Sequence, residues 1–245
     1  MTSDPSKENA QGRLISVVVP VYNEAENIQS CLRRLSAALK DQPHEILVCY
    51  DFDADTTLPA IKEMHDCPAE VRLVRNDLGA GVKFALQAGF RAARGDVVVT
   101  TMADLSDPPG AIPAMAEKIR AGAAVVSGSR YMPGGSQTGG PFLKRTLSKW
   151  AGLSLHALAG LGTHDATNNF RAYSAAFLRQ VEVESPAGFS VALELTVKAH
   201  RMGLKVDEVP SSWTDRSAGQ SRFRLTKWLP HYLKWYFKAF RRPKS

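Results

Sequence analysis

Short apolar runs alternate with segments of helical period along most of the chain. Residues 14–21, 45–50, 71–75 and 97–99 are rich in β-branched side chains and too short for buried helices, so they read as strands covered on both faces. Between them, 24–40, 56–65 and 83–94 carry helical spacing, the first opened by Asn23 as a cap. The alternation continues with a helix at 112–121, a strand at 123–129 and a glycine-rich loop at 131–140. Helices at 142–161, 172–180 and 191–202 and a last strand at 205–209 complete it. Strand and helix in this order predict an α/β domain with a mostly parallel sheet, right-handed crossovers and helices on both faces. No repeat or linker divides it, so a single domain at 14–224 is expected, after a polar disordered leader at 1–13 and before a basic amphipathic helix at 225–245.

Composition narrows the partners. A length of 245 residues with 44% hydrophobic content supports a full core. The formal net charge of +7 favours an anionic partner. Cys31, Cys49 and Cys67 form no C-x-x-C pair and are odd in number, which suits a reducing compartment better than a disulfide framework. The amino-terminal residues carry no charged-then-apolar signal. The longest nearly apolar stretch, 151–162, is far short of the ~20 residues of a spanning helix. A protein on the cytoplasmic side that crosses no membrane is expected.

Chemistry gathers where strands end. The valine strand breaks into the acidic turn MADLSDPP, which puts Asp104 just past a carboxyl end, the edge at which open α/β sheets bind ligands. Tyr22 to Glu24 and Asp51 to Asp55 follow other strands on the same edge, so residues eighty positions apart converge. Taken alone, Asp104 is equally a turn former beside Pro108. Neither G-x-G-x-x-G nor G-x-x-x-x-G-K-[ST] occurs, which removes the main support for a dinucleotide-dependent oxidoreductase. The acidic strand ends argue against a nucleic-acid binder.

The ordered motifs carry a family likeness. VPVYNE at 19–24, YDFDADTT at 50–57, LGAGVKFALQAGFRAARGD at 78–96 and MADLSDPP at 102–109 stand first. GSRYMPGG, LKRTLSKWAG, NNFRAY, LELTVKAHRMG and EVPSSWTDRSAGQSRF follow in order. In these the chain resembles family 2 glycosyltransferases of the GT-A, Rossmann-like fold, and among them the dolichyl- and polyprenyl-phosphate mannose synthases.

That resemblance implies inverting transfer of a hexose, mannose or glucose, from a GDP- or UDP-sugar to a polyprenyl phosphate, assisted by Mg or Mn. It places Pro20, Tyr22, Glu24 and Asp51 at the nucleotide, and Asp104 and Ser106 at the metal. Asp104, Arg130, Lys144 and Arg216 are implied catalytic groups, with Arg145, Ser148, Arg171 and Arg222 on the acceptor phosphate. Arginine suits that task because its planar fork bonds two phosphate oxygens. The chain departs from the pattern at Met102, which replaces the first acid of the metal motif, and at Tyr50 and Phe52. Losing one carboxylate predicts a weaker metal site. A noncatalytic nucleotide-sugar-binding protein is the reading from another class.

An ionised phosphate acceptor needs positioning and charge neutralisation but no general base. A sugar hydroxyl acceptor needs one, and Asp165 and Glu194 are its candidates. Beyond Pro230, Leu233, Tyr236, Phe237 and Phe240 share one helical side while Lys234, Lys238, Arg241 and Arg242 share the other. That pattern suits either packing on the domain or an interfacial helix at a membrane surface.

Overall fold

The computed structural model describes residues 13–186, 188–215 and 225–241. Its strands are β1 (Ile15–Pro20), β2 (His44–Tyr50), β3 (Val71–Arg75), β4 (Val97–Thr100), β5 (Val125–Ser129), β6 (Ser136–Thr138), β7 (Arg171–Ser174), β8 (Val206–Pro210) and β9 (Ser212–Thr214). Its helices are α1 (Ala25–Leu39), α2 (Thr57–Lys62), α3 (Val82–Ala92), α4 (Ile112–Arg120), α5 (Phe142–Ala159), α6 (Ala175–Leu178), α7 (Val191–Arg201) and α8 (Leu225–Ala239).

Seven strands form one sheet in the order β3-β2-β1-β4-β7-β5-β8, and β6 pairs with β9 in a small second sheet. β1 through β4 run parallel, as their helical crossovers require. The side-chain period of two divides the central strands between two cores. Val17 and Val19 pack with Ile28 and Leu32 of α1 and Met115 of α4 on one face, whereas Val18 meets Leu86 of α3 and Leu195 of α7 on the other. At Gly89 of α3 an added Cβ would lie 2.3 Å from a Val18 methyl, so only glycine allows that helix its approach to β1.

A single carboxylate ties the amino-terminal ends of these elements together. Glu45 of β2 accepts hydrogen bonds from Ser16 Oγ of β1 at 2.7 Å and from the Arg94 N–H at 2.8 Å, and pairs with Arg72 of β3.

Three expectations change. The segment expected as a helix at 172–180 contributes β7, antiparallel to both β4 and β5, followed by the one-turn α6 capped by Ser174. Helix-forming residues yield here to the open edges of β4 and β5, whose backbone groups β7 satisfies. The glycine-rich loop holds β6, matched by the unforeseen β9. Pro230 lies inside α8 rather than at its start.

The amphipathic expectation for α8 resolves into three faces. Trp235 is buried with Ala239 against Leu155, Leu193 and Val197, flanked by Tyr232 and Tyr236. Leu229, Leu233, Phe237 and Phe240 remain exposed. The cations Lys234, Lys238 and Arg241 lie on the third side. The leader at 1–12, Arg242 and Lys244 lie outside the described residues.

Candidate active site

The carboxyl ends of β1, β2 and β4 carry the acidic half of the site. Pro20 ends β1 in the core, paired in register with Cys49. Beyond it Tyr22 is exposed, and its ring meets that of Phe52 edge-on at 5.4 Å. Asn23 takes the left-handed conformation, φ 54°, and its N–H donates to Asp55 Oδ1 at 3.0 Å. The Glu24 N–H donates to Thr57 Oγ1 at 3.0 Å, and the Glu24 carboxylate accepts from the Asn27 amide at 3.0 Å. The first two bonds hold the VPVYNE turn against the DADTT turn.

Asp51 is a loop organiser as well as a candidate ligand. Its Oδ1 accepts from Asn76 Nδ2 at 2.7 Å and its Oδ2 from the Gly81 N–H at 2.7 Å. Gly81, at φ 109°, opens α3 in a conformation that L side chains rarely adopt. A carboxylate has about four lone-pair sites, so each oxygen retains capacity for a ribose hydroxyl or base N–H.

Asp104 and Ser106 lie in the turn after β4, both buried. The Ser106 N–H donates to Asp104 Oδ1 at 3.2 Å, and Leu105 between them has φ 62°. Left-handed geometry is strained for leucine, and such strain concentrates at functional turns. The Thr214 N–H donates to the Ser106 carbonyl at 3.1 Å, so the end of β9 lies beside this turn. Arg216 and Arg222 lie outside the described residues.

A residue not singled out from the sequence, Asp107, is also buried there, with one donor among the described residues, Asn168 Nδ2 at 3.3 Å. Burial and then the charge of Asp104 push its carboxyl up to about 7.

The cationic half is centred on Arg130. Its guanidinium grips Asp165 in a fork, Nε to Oδ2 at 2.6 Å and Nη2 to Oδ1 at 2.9 Å, and Nη2 also reaches Ser148 and Thr167. Burial alone would raise the Asp165 pKa, but Arg130 outweighs it and holds the carboxyl below its ordinary value. Ser148 joins Thr167 and shares a hydrogen bond with the Tyr131 hydroxyl, which donates its proton to Gln137 Oε1. Beside this network opens a cleft of about 430 Å³ lined by Arg130, Tyr131, Gln137, Arg145, Lys149 and Trp150. Lys149 and Trp150 emerge only from the fold, because the turn of α5 that places Arg145 and Ser148 also brings them to the rim. Lys144 is on α5, with its side chain outside the described residues.

Arg171 departs from its expected place. It has no exposed surface and donates to the Asn168 carbonyl at 2.7 Å, the Asp165 carbonyl at 2.5 Å and Thr196 Oγ1 at 2.7 Å, and also to Ser127. Engaged in this way, it holds the loop that carries Asp165 and offers no face to an acceptor phosphate.

The two candidate bases are likewise committed. Asp165 is held by Arg130. Glu194, fully buried, accepts from the N–H groups of Glu184 at 2.6 Å and Ser185 at 2.7 Å and pairs with Lys198 at 2.9 Å.

Known proteins are similar to this chain in sequence and in fold. Residues 16–181 match the family described as Glycosyl transferase family 2. The chain is 31% identical over 231 residues to a dolichol-phosphate mannosyltransferase of Pyrococcus furiosus, covering 93% of this chain and 64% of that relative's length. It is 33% identical to a polyprenol monophosphomannose synthase of Mycolicibacterium smegmatis, over 89% of this chain and 84% of the relative. In structure it is similar to glucosyl-3-phosphoglycerate synthase of Mycobacterium tuberculosis in complex with Mn2+, UDP-glucose and phosphoglyceric acid, with a TM-score of 0.70 at 21% identity, covering 100% of this chain and 86% of the other. That likeness establishes the shared fold.

Proposed function

We propose that this chain, which belongs to glycosyl transferase family 2, transfers a hexosyl unit with inversion from a nucleoside diphosphate sugar to a polyprenyl phosphate. The observation that carries the reading is the meeting of two opposite environments: the side-chain amide of Asn168 donates to Asp107, beside Asp104 on the acidic turn, while its backbone N–H donates to Asp165, which Arg130 of the cationic cleft grips. A donor diphosphate and an acceptor phosphate both have a place at that junction. The similarity to enzymes named for polyprenol and dolichol phosphates supports the acceptor class.

Tyr22, Glu24 and Asp51, at the ends of β1 and β2, hold the base and ribose of a GDP- or UDP-sugar. Arg145 and Lys149, with Arg130 and Ser148 behind them, receive the acceptor phosphate and aim an oxygen at the anomeric carbon. The phosphate is already ionised near neutral pH, so orientation and charge neutralisation suffice. The engagement of Asp165 and Glu194 supports this over a sugar hydroxyl acceptor, which would need a free base. Lys144, Arg216 and Arg222 are assigned to the phosphates on the family pattern.

Oxygen donors at Asp104 and Ser106 fit a hard divalent cation, Mg or Mn, and Ser106 Oγ is buried without a hydrogen-bond partner among the described residues. Such a cation, when bound, offsets charge on the departing diphosphate. The site is reached from the cytoplasmic membrane face, where the protein is peripheral. No helix among the described residues is long and apolar enough to cross a membrane.

Incubation with radiolabelled GDP-mannose or UDP-glucose, a short polyprenyl phosphate and Mn2+, followed by organic extraction, tests the reaction. Label in the organic phase that disappears on chelation is the expected result. Nucleotide binding without transfer from either donor would favour the noncatalytic reading.

A further inference from the structure

We infer that Asp107 supplies the second carboxylate of the divalent-cation site, in place of the acid absent at Met102. The inference rests on the metal-assisted reading above and concerns which residues complete the site. A methionine thioether is a soft donor and a poor ligand for Mg2+ or Mn2+, so position 102 contributes no charge to such an ion.

Asp107 and Asp165 show what the interior offers two buried carboxylates. Asp165 is paired with a forked guanidinium and accepts the N–H groups of Arg130, Thr167 and Asn168 as well. Asp107 is also enclosed, yet its sole hydrogen-bond donor among the described residues is the neutral Asn168 amide, and no ammonium or guanidinium there forms an ion pair with it. Arg130 lowers that cost from a distance but commits its fork to Asp165, so an ionised Asp107 is stabilised best by a further cation beside it.

The surroundings point to which cation. Asp104 lies three residues before Asp107 on the same turn, and both are buried. Ser106 stands between them in the chain, its N–H on the Asp104 carboxylate and its hydroxyl buried with no partner among the described residues. Two carboxylates and a hydroxyl without a partner among the described residues, all on one buried turn, form an all-oxygen donor set. That set suits a hard dication.

The test uses the intact protein and Mn2+, read by isothermal titration calorimetry and by the electron paramagnetic resonance signal of free Mn2+, with and without UDP. Asp107→Asn keeps the size of the side chain and the oxygen that accepts from Asn168, and its folding is checked by thermal melting. It is expected to weaken Mn2+ binding tenfold or more, and Met102→Asp in the same chain is expected to restore it. In the otherwise unchanged protein, Met102→Asp is expected to alter Mn2+ affinity less than threefold, because the second carboxylate is already present. This arm decides the question even where Asp107→Asn does not fold. Undiminished Mn2+ binding by folded Asp107→Asn, or a tenfold gain from Met102→Asp alone, overturns the assignment of Asp107 while leaving the metal site at Asp104. Failure of the unsubstituted protein to bind Mn2+ with or without UDP overturns both.

Discussion

Arg171, expected on the acceptor phosphate, takes a place inside the fold instead. Its motif, NNFRAY, suggests a phosphate contact because arginine is the residue of choice for phosphate. The fold instead buries it on β7, where four groups of the chain take its guanidinium protons. Burial and its partners are properties of the assembled sheet, and nothing in the local sequence marks them. Replacement by methionine leaves the carbonyls of Asp165 and Asn168 without their donor inside the core. A loss of about 3 kcal/mol or more in urea unfolding is expected for Arg171→Met, from the cost of breaking a buried charged network. An unchanged unfolding midpoint would return Arg171 to the surface of the site. The strand-end residues were more legible in place: Tyr22, Glu24, Asp51 and Asp104 all follow strands on one edge, because parallel topology alone brings those ends together. Asp107, Lys149 and Trp150 were not legible, since their meaning depends on what surrounds them in space.

At the scale of elements, β1 to β4 and their helices follow from pattern, with differences confined to their ends, where helices fray and caps decide. β7 does not, because a four-residue strand between two others takes its conformation from their free edges and not from its own propensity. The junction most sensitive to a single charge is the one Glu45 makes among β1, β2, β3 and the end of α3. Burial pushes its carboxyl up, but the hydrogen bonds from Ser16, the Arg94 N–H and Arg72 outweigh it and hold it below the ordinary value. A depressed folded-state value means that the unfolded chain takes up the proton more readily, so this stability is present above the ordinary carboxyl range near pH 4.5 and is lost as pH falls through the lowered value. Glu45→Gln is therefore expected to be less stable near neutrality and to show a flatter decline in stability between about pH 5 and pH 3. Chemical denaturation at a series of pH values measures this. Parallel curves for both proteins would remove Glu45 from the acid response.

At the scale of the whole molecule, apolar surface gathers on two helices that touch, α5 and α8, joined by the hydroxyls of Ser154 and Tyr236 at 2.9 Å. Leu143, Leu147, Trp150 and Leu158 of α5 are exposed, as are Leu229, Leu233, Phe237 and Phe240 along the free side of α8. Leu158 and Phe142 are each 73% exposed and Trp150 is 67% exposed, beyond what isolated surface hydrophobes require. Cations stand near them: Arg145 and Lys149 on α5, and Lys234, Lys238 and Arg241 on or just past α8. Lys234 and Lys238 have only Glu184 as an ion-pair partner among the described residues, at 3.8 Å and 3.4 Å, and the more exposed Lys234 can exchange that partner for lipid phosphate. Aromatic and aliphatic side chains edged by lysine and arginine match an anionic bilayer interface, and α5 also lines the cationic cleft, so docking there would bring a lipid-linked phosphate to Arg130 without the lipid leaving the membrane. The packed face of α8, held by Trp235, fixes that apolar surface to the domain. The intact protein is expected to sediment with vesicles of phosphatidylglycerol and phosphatidylcholine at low salt, and less so as salt rises, since each basic residue near the surface contributes about 1 kcal/mol that salt screens. Vesicles of phosphatidylcholine alone, which lack the anionic headgroup, should retain less protein. Leu147→Asp combined with Leu233→Asp and Phe237→Asp is expected to abolish sedimentation while the protein stays folded, with a modest fall in melting temperature, because those residues are 44%, 41% and 63% exposed and none belongs to the core. Equal sedimentation of the triple variant and the unsubstituted protein, or none by either at low salt, would detach α5 and α8 from the membrane.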